Sequence, residues 1–397
     1  MSNVTHRRNA LLGAAFLMAT SAIGPGFLTQ TATFTQSLLA SFGFVILLSI
    51  LLDIGAQANI WRIVAVSGKK AQDIANVVFP GAGYFLAVLI VMGGLAFNIG
   101  NVGGAGLGLN IILGVSPELG AVISGVVALM IFLVKEAGKL MDKFTQIMGF
   151  IMLGLTLYVM FKADPPVADA VKYTVMPDKI DPIAIVTLVG GTVGGYITFA
   201  GAHRFLDAGI HGKDSLKEVN RGAISAILIA SAMRVILFLA ILGVVSQGVT
   251  LNPANPASTP FEFVAGNVGL FIFGIVIWAA SVTSVIGAAY TSVSFISTFS
   301  PSIQKYRNYW IIGFIVFSTA VLVTVGRPAQ VLVLVGTLNG LILPISLGLI
   351  LLAAYKTKIV GDYKHPLWMT IVGGLVVVSM AVLSGQTLVS YITKLVG

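Results

Sequence analysis

A proline flanked by two glycines, Gly24-Pro25-Gly26, stands in the middle of an apolar run from about residue 11 to about residue 40. Proline removes a backbone donor and clashes with the preceding turn, and glycine loses the most entropy on becoming helical. A helix that opens in hydrocarbon exposes N–H and C=O groups that lipid cannot satisfy, so the opening has to line an enclosed cavity or a ligand. A second such stretch, Gly190-Gly191-Thr192-Val193-Gly194-Gly195-Tyr196, lies near the middle of the apolar segment 183–206. Interrupted hydrophobic helices in corresponding positions of two halves point to a secondary transporter's substrate site. The expected contact residues are Gly24, Pro25, Gly26, Phe27, Gly191, Thr192, Gly194, Gly195 and Tyr196.

Only 9% of the 397 residues are charged and 57% are hydrophobic, which places the chain in the bilayer. Eleven apolar spans are expected, at about 11–39, 42–64, 79–110, 118–134, 144–161, 182–206, 221–246, 262–297, 308–325, 328–354 and 366–390. The third and eighth are long enough to tilt or to be interrupted. Of the 23 Lys and Arg residues, Lys162, Lys172, Lys179, Arg327 and Lys394 fall on one side and Arg234 inside a span, which leaves seventeen for the other side. That bias puts the N-terminus inside and the C-terminus outside. It also accounts for the net charge of +9 without nucleic acid. The second break lies five spans on from the first, so the halves 11–161 and 182–354 read as inverted five-span units, with 366–390 as an extra helix and residues 1–397 as one membrane domain. The run after Arg7 and Arg8 reads as the first span, not as a cleaved leader. Without cysteine there are no disulfides or thiolate metal sites, and no cofactor is expected.

Charged and polar groups inside spans are functional candidates. Asp53 sits mid-span on the second helix, with Gln57 one turn later, and Arg234 mid-span on the seventh. Asp53 reads either as a coupling-proton site or as the partner of Arg234 in a structural ion pair; Arg234 alone reads also as an anion-binding group. His203, Arg204 and Asp207 end the sixth span and read as an interfacial cluster. Ser281, Thr283, Ser284 and Thr291 on the eighth span read as a sodium site or as interhelical hydrogen-bonding groups. Asn339 and Pro344 mark a bend in the tenth span, and Phe27 and Tyr196 read as pocket walls or packing aromatics.

These residues resemble the natural resistance-associated macrophage protein (NRAMP) family, within the leucine-transporter fold. Gly24-Pro25-Gly26-Phe27 is similar to the family's Asp-Pro-Gly-Asn, and Leu109 to Gly114 resembles the end of its third helix. Val189-Gly190-Gly191-Thr192-Val193 resembles the sixth-helix motif, and Thr337 to Pro344 the tenth helix. The resemblance implies a divalent metal cation transporter with eleven helices. The departures fall on the metal ligands. Gly24 and Phe27 replace the first-helix Asp and Asn, Gly194 stands in place of the sixth-helix Met, and Gly195-Tyr196 replaces Pro-His. Asn98 and Asn101 stand where the family has an acidic pair. Carboxylate and thioether donors select transition metals, so their loss removes the usual basis for that cargo.

The reading is therefore an all-α secondary transporter of a small solute, working by alternating access and coupled to protons or sodium. Substrate contacts fall at the two breaks together with Asn98, Asn101 and Asn339, and coupling or gating at Asp53, Gln57, Arg234 and Ser284. A small organic acid or amino-acid-like solute (5-oxoproline is one example) and magnesium stand as alternatives to the metal. A bacterial inner membrane is the expected location, and a monomer is compatible with the mechanism. A channel would want a ring of like groups. An enzyme would want a nucleophile and base, yet His6, His203, His211 and His365 fall at helix ends or in loops.

Overall fold

The computed structural model describes residues 24–396. The first half of the first span, residues 11–23, lies outside the described residues, as does the N-terminal basic pair. The regular structure of the described residues is helical, with long helices in the order α1 Pro25–Leu38, α2 Phe42–Ser67, α3 Ala82–Leu113, α4 Pro117–Leu133 and α5 Lys135–Lys162. The second half runs α6 Pro182–Thr192, α7 Ile197–Asp207, α8 Leu216–Ser246, α9 Thr259–Ile296, α10 Arg307–Val325, α11 Pro328–Ala353 and α12 Leu367–Val396. Among the described residues, nine helical stretches are long and apolar enough to cross a bilayer. One of them, Pro25–Ser67, reverses at the short 3₁₀ turn Leu39–Ser41, and α4 is a further apolar helix of 17 residues. Counting two spans in that stretch and adding α4 matches the eleven crossings expected, the first of them described only from Pro25 onward. α6 and α7 together make the sixth crossing. The two five-span units run in opposite directions, and α12 is the extra helix.

Local chemistry sets most of the boundaries. Ser116 accepts from Leu119 N at 3.3 Å ahead of Pro117, and Asp181 accepts from Ile183 N at 2.8 Å ahead of Pro182, so both helices begin with a side-chain cap and a proline that has no N–H to leave unpaired. α3 is packed through glycines. A Cβ on Gly104 would overlap Pro25, one on Gly106 would overlap the Pro117 carbonyl, and one on Gly108 would lie 2.7 Å from Trp278. Without side chains at those points the helices approach closely, which supplies the packing that lipid cannot drive. Outward-facing Phe150, Phe161 and Trp368 are exposed, as a lipid-facing surface requires.

Two expectations shift, at the start of the fifth span and at Pro344. The fifth span begins at Lys135, nine residues before the expected 144, because the polar first turns of α5 are helical outside the hydrocarbon. The connector 162–181 contains a short helix, Val167–Val175. The eighth span is interrupted at Gly266, whose φ of 60° and ψ of −156° are non-helical, as its length allows, whereas α11 continues as helix through Pro344, where a bend is expected from the sequence.

The end of α2 is tied to the connector before α12 by a polar chain. Arg62 Nε donates to the Tyr363 hydroxyl, which is 3.2 Å from His365 Nδ1, and His365 Nε2 is 2.9 Å from Asn59 Oδ1. Asn59 spends its amide on the carbonyls of Gly55 and Met369, so its oxygen is the acceptor and the imidazole fits as a neutral donor. Burial, with Arg62 beside it, pushes His365 down to about 4. The unfolded chain therefore binds the proton more readily between about pH 6.5 and pH 4, and stability is lost as pH falls through that window. The melting temperature of the wild type should drop across it more steeply than that of His365→Gln; equal slopes would remove His365 as the cause.

Candidate functional site

The site is assembled where α1 starts and α6 ends. Gly24 is extended (φ −98°, ψ −171°) and Pro25 occupies the first helical position, so α1 is a half-helix that begins inside the protein. Its first-turn N–H groups have no intrahelical acceptor, and its positive dipole end faces inward. α6 ends at Thr192. Val189 O accepts from both Val193 N and Gly194 N, at 2.9 and 3.0 Å, and the ladder resumes only with Ile197 N on Gly194 O at 3.2 Å. Gly195 has φ +49°, and a Cβ there would collide with Asn339 Oδ1. The opened residues are thus Val193 to Tyr196. Gly26 and Gly191 lie in regular helix instead; Gly191 lacks a Cβ because Gln30 Oε1 would be 2.5 Å from it.

Between the two half-helices lies a buried charged pair. Arg234, from α8, sets its guanidinium over the Phe27 ring, 4.3 Å from the centroid, and donates from Nη1 to Thr192 Oγ1 at 3.0 Å. Thr192 Oγ in turn donates to Leu188 O at 2.9 Å. Asp53, from α2, lies close enough to both Arg234 and Thr192 to feel them. The pair is not a salt bridge: the described ion pairs within 4.0 Å join Lys70 to Asp207, Lys139 to Glu136 and Lys213 to Asp362. Asp53 is 1% exposed and Arg234 is 3% exposed. Among the described residues, Asp53 Oδ1 and Arg234 Nε and Nη2 are buried without a hydrogen-bond partner. Groups of this kind are expensive to leave unmatched.

Around this centre the other expected residues divide. Tyr196 packs edge-on against Phe97 with centroids 5.0 Å apart, and its side chain lies near Asn101. Asn339 donates to Gly93 O and Val335 O, both at 3.0 Å, and leaves Oδ1 against Gly195. Asn98 turns the other way and donates to Ser318 Oγ on α10 at 3.1 Å. Gln57 donates to Ala223 O at 2.8 Å and joins α2 to α8. Ser281 approaches Pro25 through the gap at Gly104, while Ser284 is buried three residues further along α9. His203 accepts from Ala71 N and pairs with Ser294 Oγ, both at 3.2 Å, which fixes the end of α7. Gln30 was missing from the expected set. It donates to Leu332 O at 3.0 Å and sits among Gly26, Gly191 and Gly336, with Oε1 unpaired. The signal for it was a polar residue one turn after the Gly-Pro-Gly break. Among the described residues no group of three His, Cys, Asp or Glu side chains is placed to hold a metal ion.

Two cavities lie away from the breaks, toward opposite ends of the helices. One, of about 270 Å³, is lined by Asp142, Arg204, Thr283, Gly287 and Thr291 among others. The other, of about 360 Å³, is lined by Ser37, Ser41, Asp169, Lys179 and Ser246 among others.

The sequence profile of the family described as natural resistance-associated macrophage protein-like matches residues 15–390. The chain belongs to that family. This NRAMP-like chain is an integral membrane protein. It is 74% identical over 394 residues to a Haemophilus influenzae protein named only as an uncharacterized membrane protein, with 99% of each chain covered. It is 23% identical over 399 residues to the divalent metal cation transporter MntH of Klebsiella pneumoniae, covering 96% of this chain and 94% of that one. Its fold matches a manganese transporter of Eremococcus coleocola (TM-score 0.73, 17% identity, 98% and 88% of the two chains). It also matches MhsT, solved with L-phenylalanine (TM-score 0.65, 16% identity, 96% and 97%). The leucine-transporter fold of the NRAMP-like chain follows.

Proposed function

We propose that this NRAMP-like protein is a secondary transporter that carries a small solute by alternating access, with the solute held between the breaks of the first and sixth spans. The observation that carries the reading is the opened backbone at Val193–Tyr196 facing the inward start of α1, with buried polar atoms left unmatched between them. The cavities toward the two ends of the helices contain none of these break residues, as expected of a central site closed to both sides. Asp53 is the coupling group in this reading, and the side with seventeen basic residues is the cytoplasmic face of a bacterial inner membrane.

The relatives named above as metal transporters favour a divalent cation as cargo. The donor set of this chain does not. Gly24, Phe27 and Gly194 stand at the family's ligand positions, and a guanidinium lies on Phe27, where it repels a dehydrated cation. Calorimetry with manganese should therefore give no saturable heat at micromolar concentrations. Micromolar binding that is lost when Gly194 is altered would reverse this.

Because the chain has no cysteine, single probes report access cleanly. Ser37→Cys and Gly287→Cys, placed in the two cavities, should respond reciprocally to a maleimide when solute is added: one becomes protected as the other becomes reactive. Simultaneous reactivity of both, unchanged by any solute, would indicate a channel and end the alternating-access reading.

A further inference from the structure

We infer that Arg234 is the docking group for a substrate carboxylate, received between its free guanidinium edge and the N-terminus of α1, and that Asp53 brings in one proton with each carboxylate. The inference rests on the transport reading above, since it concerns the same central site.

The argument begins with which nitrogens are free. Nη1 is committed to Thr192, whereas Nε and Nη2 are buried and have no partner among the described residues. Those two nitrogens form the side edge of the guanidinium, the edge whose two parallel N–H bonds match the two oxygens of a carboxylate. The flat face of the group is already used by the Phe27 ring, so the edge is what remains to bind. Phe27 is also the third helical residue of α1, so the guanidinium sits on a side chain of that helix's first turn. A carboxylate there meets a fixed cation and a half-helix dipole of the same sign. With Arg234 3% exposed, the site is enclosed in this conformation, and the carboxylate enters when one gate is open.

Asp53 supplies the coupling. With Asp53 ionised, the Asp53–Arg234 pair is neutral, and an arriving carboxylate would leave one net negative charge buried. A proton on Asp53 cancels it, so proton and carboxylate load together and leave together, with no covalent change and no net charge moved. Of the elements packed on α2, α8 presents Arg234 and α6 presents Thr192 to Asp53. Oδ1 of Asp53 has no donor to lose when it takes the proton. A purely structural role for Arg234, capping the carbonyl end of α6, would use the Thr192 bond and leave the free edge without purpose.

The test is a thermal-shift measurement on the purified full chain with sodium acetate, sodium succinate and L-proline as probes, at about pH 5.5 and about pH 8. At least one probe should stabilise the wild type more at the lower pH, with affinity falling about tenfold per pH unit above the titration of Asp53. Asp53→Asn, which mimics the protonated state, should bind that probe equally at both pH values. Asp53→Asn combined with Arg234→Gln keeps the pair neutral and should lose the shift while melting normally. The inference is overturned if no probe shifts the wild type, if the double variant keeps the shift, or if Asp53→Asn keeps the pH dependence. Should any of these occur while the Ser37→Cys and Gly287→Cys probes still respond reciprocally to another solute, the transport reading stands and the carboxylate alone is wrong.

Discussion

Arg234→Leu is expected to destabilise the protein by about 3–5 kcal/mol, because it strips the charge partner from an enclosed carboxylate and breaks the bond to Thr192. The same substitution made together with Asp53→Asn should recover most of the loss, since two neutral groups of similar size then occupy the gap. Denaturation of both variants in one detergent, read by intrinsic fluorescence, measures the difference. The interaction energy between the two sites should reach about 2 kcal/mol or more, within the range for residues that share a network. Additive effects would show that Asp53 and Arg234 act independently, and would remove the basis for treating them as one site. The bound solute is not needed for this result, so it separates the architecture of the pair from its use.

A comparable loss should follow from Gly190→Ala. A Cβ at that position would run into the carbonyl oxygen of Gly336 and the amide nitrogen of Gly340, both backbone atoms that have no rotamer to change. Overpacking of this kind costs about 3 kcal/mol where the neighbours cannot move, and the expected readout is a collapse in folded yield on size exclusion. Gly149→Ala and Gly154→Ala serve as controls, because a Cβ at either meets nothing within 4 Å. If Gly190→Ala purified like the controls, α6 and α11 would not be in backbone contact in the membrane.

Hydropathy and length were enough to find the spans, since a bilayer demands the same run of apolar residues wherever a helix crosses it. They failed where helix extends into water: the start of α5 carries Lys135, Glu136, Lys139, Asp142 and Lys143, and a window tuned to hydrocarbon cannot see it. The breaks were legible from glycine and proline, but the opening lies after Thr192 because Gly190 and Gly191 are spent on close packing, a use with the same local signature. Two charged residues inside spans made Asp53 and Arg234 visible at once. That Thr192 stands between them depends on three helices meeting, which no local pattern encodes. Asn98 and Asn101 illustrate the same limit: α3 is apolar all round, so nothing in the chain tells which asparagine turns toward Tyr196 and which toward Ser318.

The seam between α6 and α11 also bears on how such a protein would move. Backbone lies on backbone at Gly190, Gly336 and Gly340, and Thr187 Oγ meets Thr337 Oγ at 2.7 Å on the same line. Surfaces meshed at this spacing cannot slide by fractions of a turn without carbonyls meeting carbonyls, so the two helices travel as one mechanical part. The play in the sixth crossing is then confined to Val193–Tyr196, which acts as a knuckle, with α7 as the lever arm beyond it. Interhelical distances taken by spin labels should accordingly stay constant between α6 and α11 and change between α6 and α7.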